Sequence, residues 1–340
     1  MMTRWICVAW LALLGSCPSL AYAAEYEGAR LAPYHADKQA VHLAHGEAKA
    51  VLSFEAGGRP LEYSFRGMNA LWLDPAEKQP PAGKPRSISA GRFDIGPELI
   101  TPAHPALWSG AWTAEITGPR QARLTSQKDS ATGIQLVRNF SLTDVSSSRD
   151  GKQAALLRCE QIMTNTGKEL REVCHWGRSF SPGGGICLIP LGGRSRFPGQ
   201  YAMYEDSAII NVRNTDDKIR VRDGFLEILS PPRKPKLGFD STAGWLAYLM
   251  PDDTLFVKRY AVDPNRVYGE AAGLTLSVWY PPGERIELEP IGPLERLQPG
   301  QSASFTEEWW LLKHPFPKPN EHIDLKRLRG IVEVETVSAK

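Results

Sequence analysis

Short apolar or alternating runs recur along the chain between Gly, Pro, Asn and Asp, at residues 50–54, 61–65, 111–116, 134–142, 244–250, 255–261 and 274–280. Side chains on an extended strand point alternately to opposite faces, so runs of this length and period predict an all-β domain. Before the C-terminus no amphipathic helical run carries a cap at each end, and Pro and Gly recur often enough to break helices. Residues 321–329 alone predict a helix. Residues 74–86, with Pro75, Pro80, Pro81 and Pro85, and residues 180–201, with Pro182-Gly183-Gly184-Gly185 and Gly192-Gly193, predict long loops. Loops of that size on a β scaffold either wall a binding site or run over the surface. No internal repeat or interdomain linker stands out, so the expectation is one β domain over residues 24–314 and a tail, 315–340, that holds the short helix.

The N-terminus changes the picture. A basic start at Arg4, an apolar run over 5–14 and the stretch Ala21-Tyr22-Ala23 predict a signal peptide over residues 1–23, cleaved before Ala24. A second reading takes Leu14-Gly15-Ser16-Cys17 as a lipobox, with a lipid anchor on Cys17. Either way the expected location is periplasmic or secreted. The apolar run is too short to span a bilayer, and no later segment is long and apolar enough for a transmembrane helix. The formal net charge is +2, and no concentrated basic run is present, which argues against a nucleic-acid partner. Cys159, Cys174 and Cys187 follow the leader. A hairpin of residues 156–164 and 170–180 around Asn165-Thr166-Gly167-Lys168 would set Cys159 opposite Cys174, leaving two readings open, a cross-strand disulfide or buried free thiols. Cys187 stays unpaired in both.

Three segments, in order, carry a resemblance. The first runs from Gly57-Gly58-Arg59 through Leu61-Glu62-Tyr63-Ser64-Phe65 to Gly67-Met68-Asn69-Ala70-Leu71-Trp72. The second is Met163-Thr164-Asn165-Thr166-Gly167 and the following strand with His175. The third is Glu287-Leu288-Glu289-Pro290-Ile291-Gly292-Pro293-Leu294, then Leu297-Gln298-Pro299-Gly300-Gln301-Ser302 and Glu307-Glu308-Trp309-Trp310. Together they resemble the aldose 1-epimerase (galactose mutarotase) superfamily, in an uncharacterised secreted branch. The resemblance implies a large antiparallel β-sandwich, the supersandwich, with a sugar or oligosaccharide cleft and no cofactor. It also implies His175 as general acid, Glu289 as general base and His104 near a second, ring-binding histidine. The surround Cys174-His175-Trp176-Gly177-Arg178 departs from the enzymes' Asn-His-x-Tyr-Phe type of sequence, and no His-Gly-Phe context surrounds His104.

Exchange of sugar anomers opens the hemiacetal and closes it on the other face. It needs a base for the anomeric hydroxyl and an acid for the ring oxygen, which Glu and His supply. Alternation groups Val173, His175 and Gly177 on one strand face and Cys174 and Trp176 on the other; the expectation sets His175 in a cleft and Trp176 in the core. Likewise Ile286 and Leu288 face the core, with Glu287 and Glu289 outward, their carboxylates roughly 6 to 7 Å apart. That spacing suits an inverting glycosidase pair, but both groups would approach the sugar from one side, and hydrolysis needs them to flank the bond. Trp108 and Trp112, near His104, are the candidates for stacking on a sugar, although most indoles in a sandwich are core. Arg59 and Arg178 suit a carboxylate or phosphate on a modified sugar, against the commoner fate of an ion pair. His35, His42 and His45 lack a second cluster with ligand spacing, so no metal site is expected. Gly183-Gly184-Gly185 has no strand-to-helix setting for a nucleotide, and no Gly-x-Ser-x-Gly elbow occurs. The functional expectation is therefore an aldose 1-epimerase-like enzyme; the alternatives are a non-catalytic carbohydrate-binding protein and a polysaccharide-processing enzyme on the same fold.

Overall fold

The computed structural model describes residues 26–80, 86–146, 153–206 and 209–336; the expected leader, with its alternatives at Ala23 and Cys17, lies outside them. The predicted runs form strands, among them Ala48–Ser53, Arg59–Phe65, Ile134–Ser146, Trp245–Leu249, Thr254–Tyr260 and Leu276–Trp279. They assemble into antiparallel sheets of five, ten and eight strands, and the strand Gly91–Gly96 pairs with Arg171–Pro182 of the eight-stranded sheet. The fold is a large antiparallel β-sandwich. No helix among the described residues is long and apolar enough to cross a membrane.

The strand Ser302–Lys313 shows why both faces of the ten-stranded sheet are apolar. Trp309 points into the core shared with the other sheets, where its ring stacks on Phe93 at 5.4 Å and meets Phe256 edge-on at 5.7 Å. Tyr63 ties in the five-stranded sheet, donating its hydroxyl to the carbonyls of Ala155 and Trp309 at 2.8 and 2.7 Å. Trp310, one residue on, faces the other way and joins Trp245, Leu312, Leu328 and Val332 in a second apolar cluster. The helix Leu325–Glu335 covers that face. It starts four residues later than the sequence suggests because the Asp324 carboxylate caps the backbone N–H of Arg327 at 3.0 Å.

The expected hairpin around residues 165–168 is not one. Gln153–Asn165 pairs on one side with Ile134–Ser146 and on the other with Ser302–Lys313, so neither edge is left for Arg171–Pro182, which lies in the eight-stranded sheet. Cys159 and Cys174 thus fall in different sheets, and all three described cysteines are buried free thiols. Burial pushes the Cys174 thiol up to about 12. Iodoacetamide should leave Cys159, Cys174 and Cys187 unmodified in the native protein, and all three should alkylate in denaturant without prior reduction, as intact-mass measurement will show.

Candidate functional site

The strand Arg285–Pro290 alternates cleanly: Ile286 and Leu288 enter the core between the sheets, while Arg285, Glu287 and Glu289 share the opposite face of the eight-stranded sheet. Phe180 and Trp279 stand on either side of Glu287 in register, and Lys236 stands next to Trp279. A cleft of about 920 Å³ opens over this row, walled by Trp72, Glu98, Leu99, Tyr204 and Lys234 among others. Of the two stretches expected as loops, Asp74 lines the cleft from the first, whereas the second is not a single loop: Phe180, which lines the cleft, lies near the end of the strand Arg171–Pro182, and Ile186–Pro190 is a strand of the ten-stranded sheet.

Glu287 and Glu289 are both buried, but their partners differ. Arg92 donates to Glu287, and so does Arg178 Nε at 3.0 Å. Arg178 reaches on to Asp94 at 3.2 Å, and Asp94 takes a 2.7 Å hydrogen bond with His104 Nε2. Burial works to raise the Glu287 pKa, yet Arg92, Arg178 and Lys236 hold it below the ordinary carboxylate value. Glu289 sits one step deeper, capped by Lys236 Nζ at 2.6 Å and by the indole N–H of Trp176 at 2.9 Å. Burial lifts its pKa above the ordinary value against the pull of Lys236, and the charge of Glu287 adds to the rise. Two carboxylates on one strand are thereby driven apart in acidity, the condition under which one can stay ionised and the other exchange a proton. Burial disfavours the charged form of His104, but the hydrogen bond to Asp94, the Asp94 charge and the Pro102 carbonyl together outweigh that and raise the pKa.

Arg178 and Glu287 both line the cleft. His175 does not reach it. The two sets of alternating residues on this strand are those expected, but the faces are exchanged: Trp176 lies on the side of Glu289, packed with Cys174, Phe197, Leu274 and Ile291, and His175 lies between the sheets, stacked on Phe305 at 5.8 Å. Gly177 explains part of the choice, because a Cβ there would collide with the Glu307 carboxylate that fills the interior. Arg59 is also a correction. It is fully buried and pairs with Glu77 and the Ser89 carbonyl, so no fork is left for a ligand. Trp112 is core, donating to the Leu107 carbonyl at 3.3 Å and lying 4.4 Å from the Arg138 guanidinium. Trp108 stands behind the cleft's arginines, 5.1 Å from Arg92 and 5.5 Å from Arg178. His104 acts on the site only through Asp94. Sequence reasoning missed Arg92, Lys236, Trp72, Trp279 and Arg285. Only Arg285 had a local signal, since it stands two residues before Glu287 and so on the same strand face.

No family model and no curated protein matches the sequence. Solved structures are similar in fold. A galactose mutarotase-like protein from Lactobacillus casei aligns with a TM-score of 0.55 at 12% identity, over 80% of this chain and 99% of its own. An Escherichia coli K12 protein assigned provisionally as an aldose 1-epimerase gives 0.54 at 15%, over 80% and 98%. The Slr1438 protein of Synechocystis gives 0.54 at 15%, over 88% and 100%. The fold is that of the galactose mutarotase-like β-sandwiches, and at such identities the likeness extends to the fold alone.

Proposed function

We propose that this chain binds a sugar in the cleft over Glu287, with its hydroxyls on the Glu287–Arg178–Arg92 cluster and a C–H face against Trp279. The observation that carries this reading is the register itself, which sets a charged hydrogen-bonding group between two aromatic rings, one on each neighbouring strand. Sites of this kind combine flat apolar surface with a few fixed polar groups. The fold likeness to mutarotase-like proteins supports the same reading. The proposal places the protein in the periplasm or outside the cell, on the strength of Arg4, the apolar run and Ala21-Tyr22-Ala23.

The opposed shifts of Glu287 and Glu289 favour a second reading, anomer exchange in the same cleft. Glu289 is then the base, released when Lys236 turns from it toward the sugar, and the Lys236 ammonium is the acid for the ring oxygen. His175, on the far face of its strand, has no part in this chemistry. The test is calorimetric titration and NMR saturation transfer over a panel of neutral and acidic monosaccharides and short oligosaccharides. Trp279→Ala should weaken binding about tenfold, the loss of roughly 1.4 kcal/mol of stacking. Glu289→Gln should abolish exchange and His175→Asn should preserve it. A panel with no binding partner would sink the sugar reading; exchange that survives in Glu289→Gln would sink the second one.

A further inference from the structure

The cations of the cleft are not equivalent. Arg92 and Arg178 are matched by Glu287, Lys236 by Glu289, and Lys234 donates to the Glu205 carbonyl at 2.8 Å. Arg285 differs. Its Nε is buried with no hydrogen-bond partner, and no described carboxylate forms an ion pair with it. Three aromatic rings hold it instead, with the guanidinium carbon 4.8 Å from the ring centre of Trp72 and 5.3 Å from those of Phe180 and Trp279. None of the acids on the same walls pairs with Arg285: Asp74 caps the helix Pro75–Lys78 through Ala76 N–H, Glu205 pairs with Arg233, and Glu98 lies 3.4 Å from Arg178.

We propose that Arg285 is an anion subsite of this cleft and that the sugar bound there carries an acidic substituent, a carboxylate or an acid ester such as sulfate. The inference rests on the sugar reading above and narrows it to a substrate class. A guanidinium packed among rings keeps its charge while its side-chain freedom is already lost, so a planar anion meets a fixed fork. Partial desolvation leaves the charge underpaired, and an anionic group offsets that deficit through charge-assisted hydrogen bonds. The position fits one ring. Arg285 and Glu287 are two residues apart on one strand face, a separation of roughly 7 Å, which is the span of a single pyranose with its exocyclic group. The ring would then lie over Trp279, with hydroxyls toward Glu287 and the acidic group toward Arg285.

The experiment compares matched pairs of sugars, glucose with glucuronate and glucose 6-sulfate, and galactose with galacturonate, by calorimetric titration on the wild type, Arg285→Gln and Arg285→Lys. In the wild type the acidic member of a pair should bind at least about tenfold more tightly than the neutral one. Arg285→Gln should bring that ratio to about one, and Arg285→Lys, which keeps the charge without the fork, should fall between. Indole fluorescence should change with both members through Trp279, and more with the acidic one, since Trp72 and Trp279 both pack on Arg285. Circular dichroism confirms that the variants fold, and the lysine variant keeps the test decisive if the glutamine variant does not. Equal wild-type affinities, or an acidic preference that persists in Arg285→Gln, would overturn the subsite and leave the sugar reading standing. Binding of no sugar, neutral or acidic, would overturn both.

Discussion

Replacing Glu307 with Gln is expected to destabilise the protein by about 3–5 kcal/mol, the penalty for removing one partner of a fully buried ion pair. Glu307 and Lys258 have no exposed side-chain surface and lie 3.0 Å apart between the ten- and eight-stranded sheets. Burial lowers the Lys258 pKa and the charge of Glu307 opposes that fall, so a neutral amide would strand an ammonium in the interior. Lys258 also donates to Ser179 Oγ at 2.7 Å and to the Leu288 carbonyl at 3.1 Å, tying together the undersides of the strands that carry Arg178 on one side and Glu287 and Glu289 on the other. The ion pair is therefore the foundation of the cleft, and Glu307→Gln should weaken the proposed sugar binding as well as lower the melting temperature by on the order of 10 °C. Lys258→Met should be similarly damaging, because it leaves the carboxylate unpaired. The double variant should recover most of the loss: no charge is then stranded, and the Gln amide oxygen can still accept the Trp309 indole N–H that Glu307 accepts at 2.8 Å. Urea unfolding of the four proteins gives the coupling energy directly. A double variant as unstable as the sum of the singles would show that the two charges act independently.

The buried pair also marks the limit of what the sequence makes legible. Period-two alternation is local, and it correctly groups Ile286 with Leu288 and Glu287 with Glu289, because apolar and acidic residues leave no doubt which set faces the core. On the strand Arg171–Pro182 the same alternation offers Val173, His175 and Gly177 against Cys174, Trp176 and Arg178, two mixed sets that a period cannot rank. The ranking comes from distant residues: Phe305 and Glu307 occupy the inner side, and Phe197, Leu274 and Ile291 the outer. The turn at residues 165–168 misleads in a related way. Its chemistry is that of a tight reversal, with Asn165 Oδ1 accepting the Gly167 N–H at 2.9 Å. Turn chemistry reports that the chain turns back but not which sheet receives it, and here the chain passes from one sheet to the other. Arg59 and Arg178 are alike in sequence, yet Glu77 from the short helix Pro75–Lys78 buries one while the cleft exposes the other. Neither outcome is written within a few residues of the arginine itself.

The face taken by His175 has a consequence in solution: wild-type stability should fall more steeply with acid than that of His175→Gln, by about 2 kcal/mol between pH 6.5 and 5. Burial, and then the positive charge of Arg138, lowers the His175 pKa to about 3, with only the Gln161 backbone working the other way. Its Nε2 is buried and unpartnered, so the interior has no acceptor for an added proton. The unfolded chain binds that proton with an ordinary pKa near 6.5. Above this value His175 is neutral in both states and its contribution is fully present; as pH falls from 6.5 toward 3 the unfolded state gains a proton that the folded state refuses, and stability is lost at about 1.4 kcal/mol per unit. Other histidines shift too, His42 and His314 downward and His104 upward, but they are common to both proteins and cancel in the comparison. Urea titrations of wild type and variant at pH 7 and pH 5 read the difference, whatever the substitution costs at neutral pH. An imidazole at the cleft, solvated and beside carboxylates, would titrate near neutrality and give the variant the same slope as the wild type. Equal slopes would thus return His175 to the proposed sugar site, whereas the expected difference leaves no protonated imidazole to act as an acid at neutral pH and favours Lys236 for that role in the proposed anomer exchange.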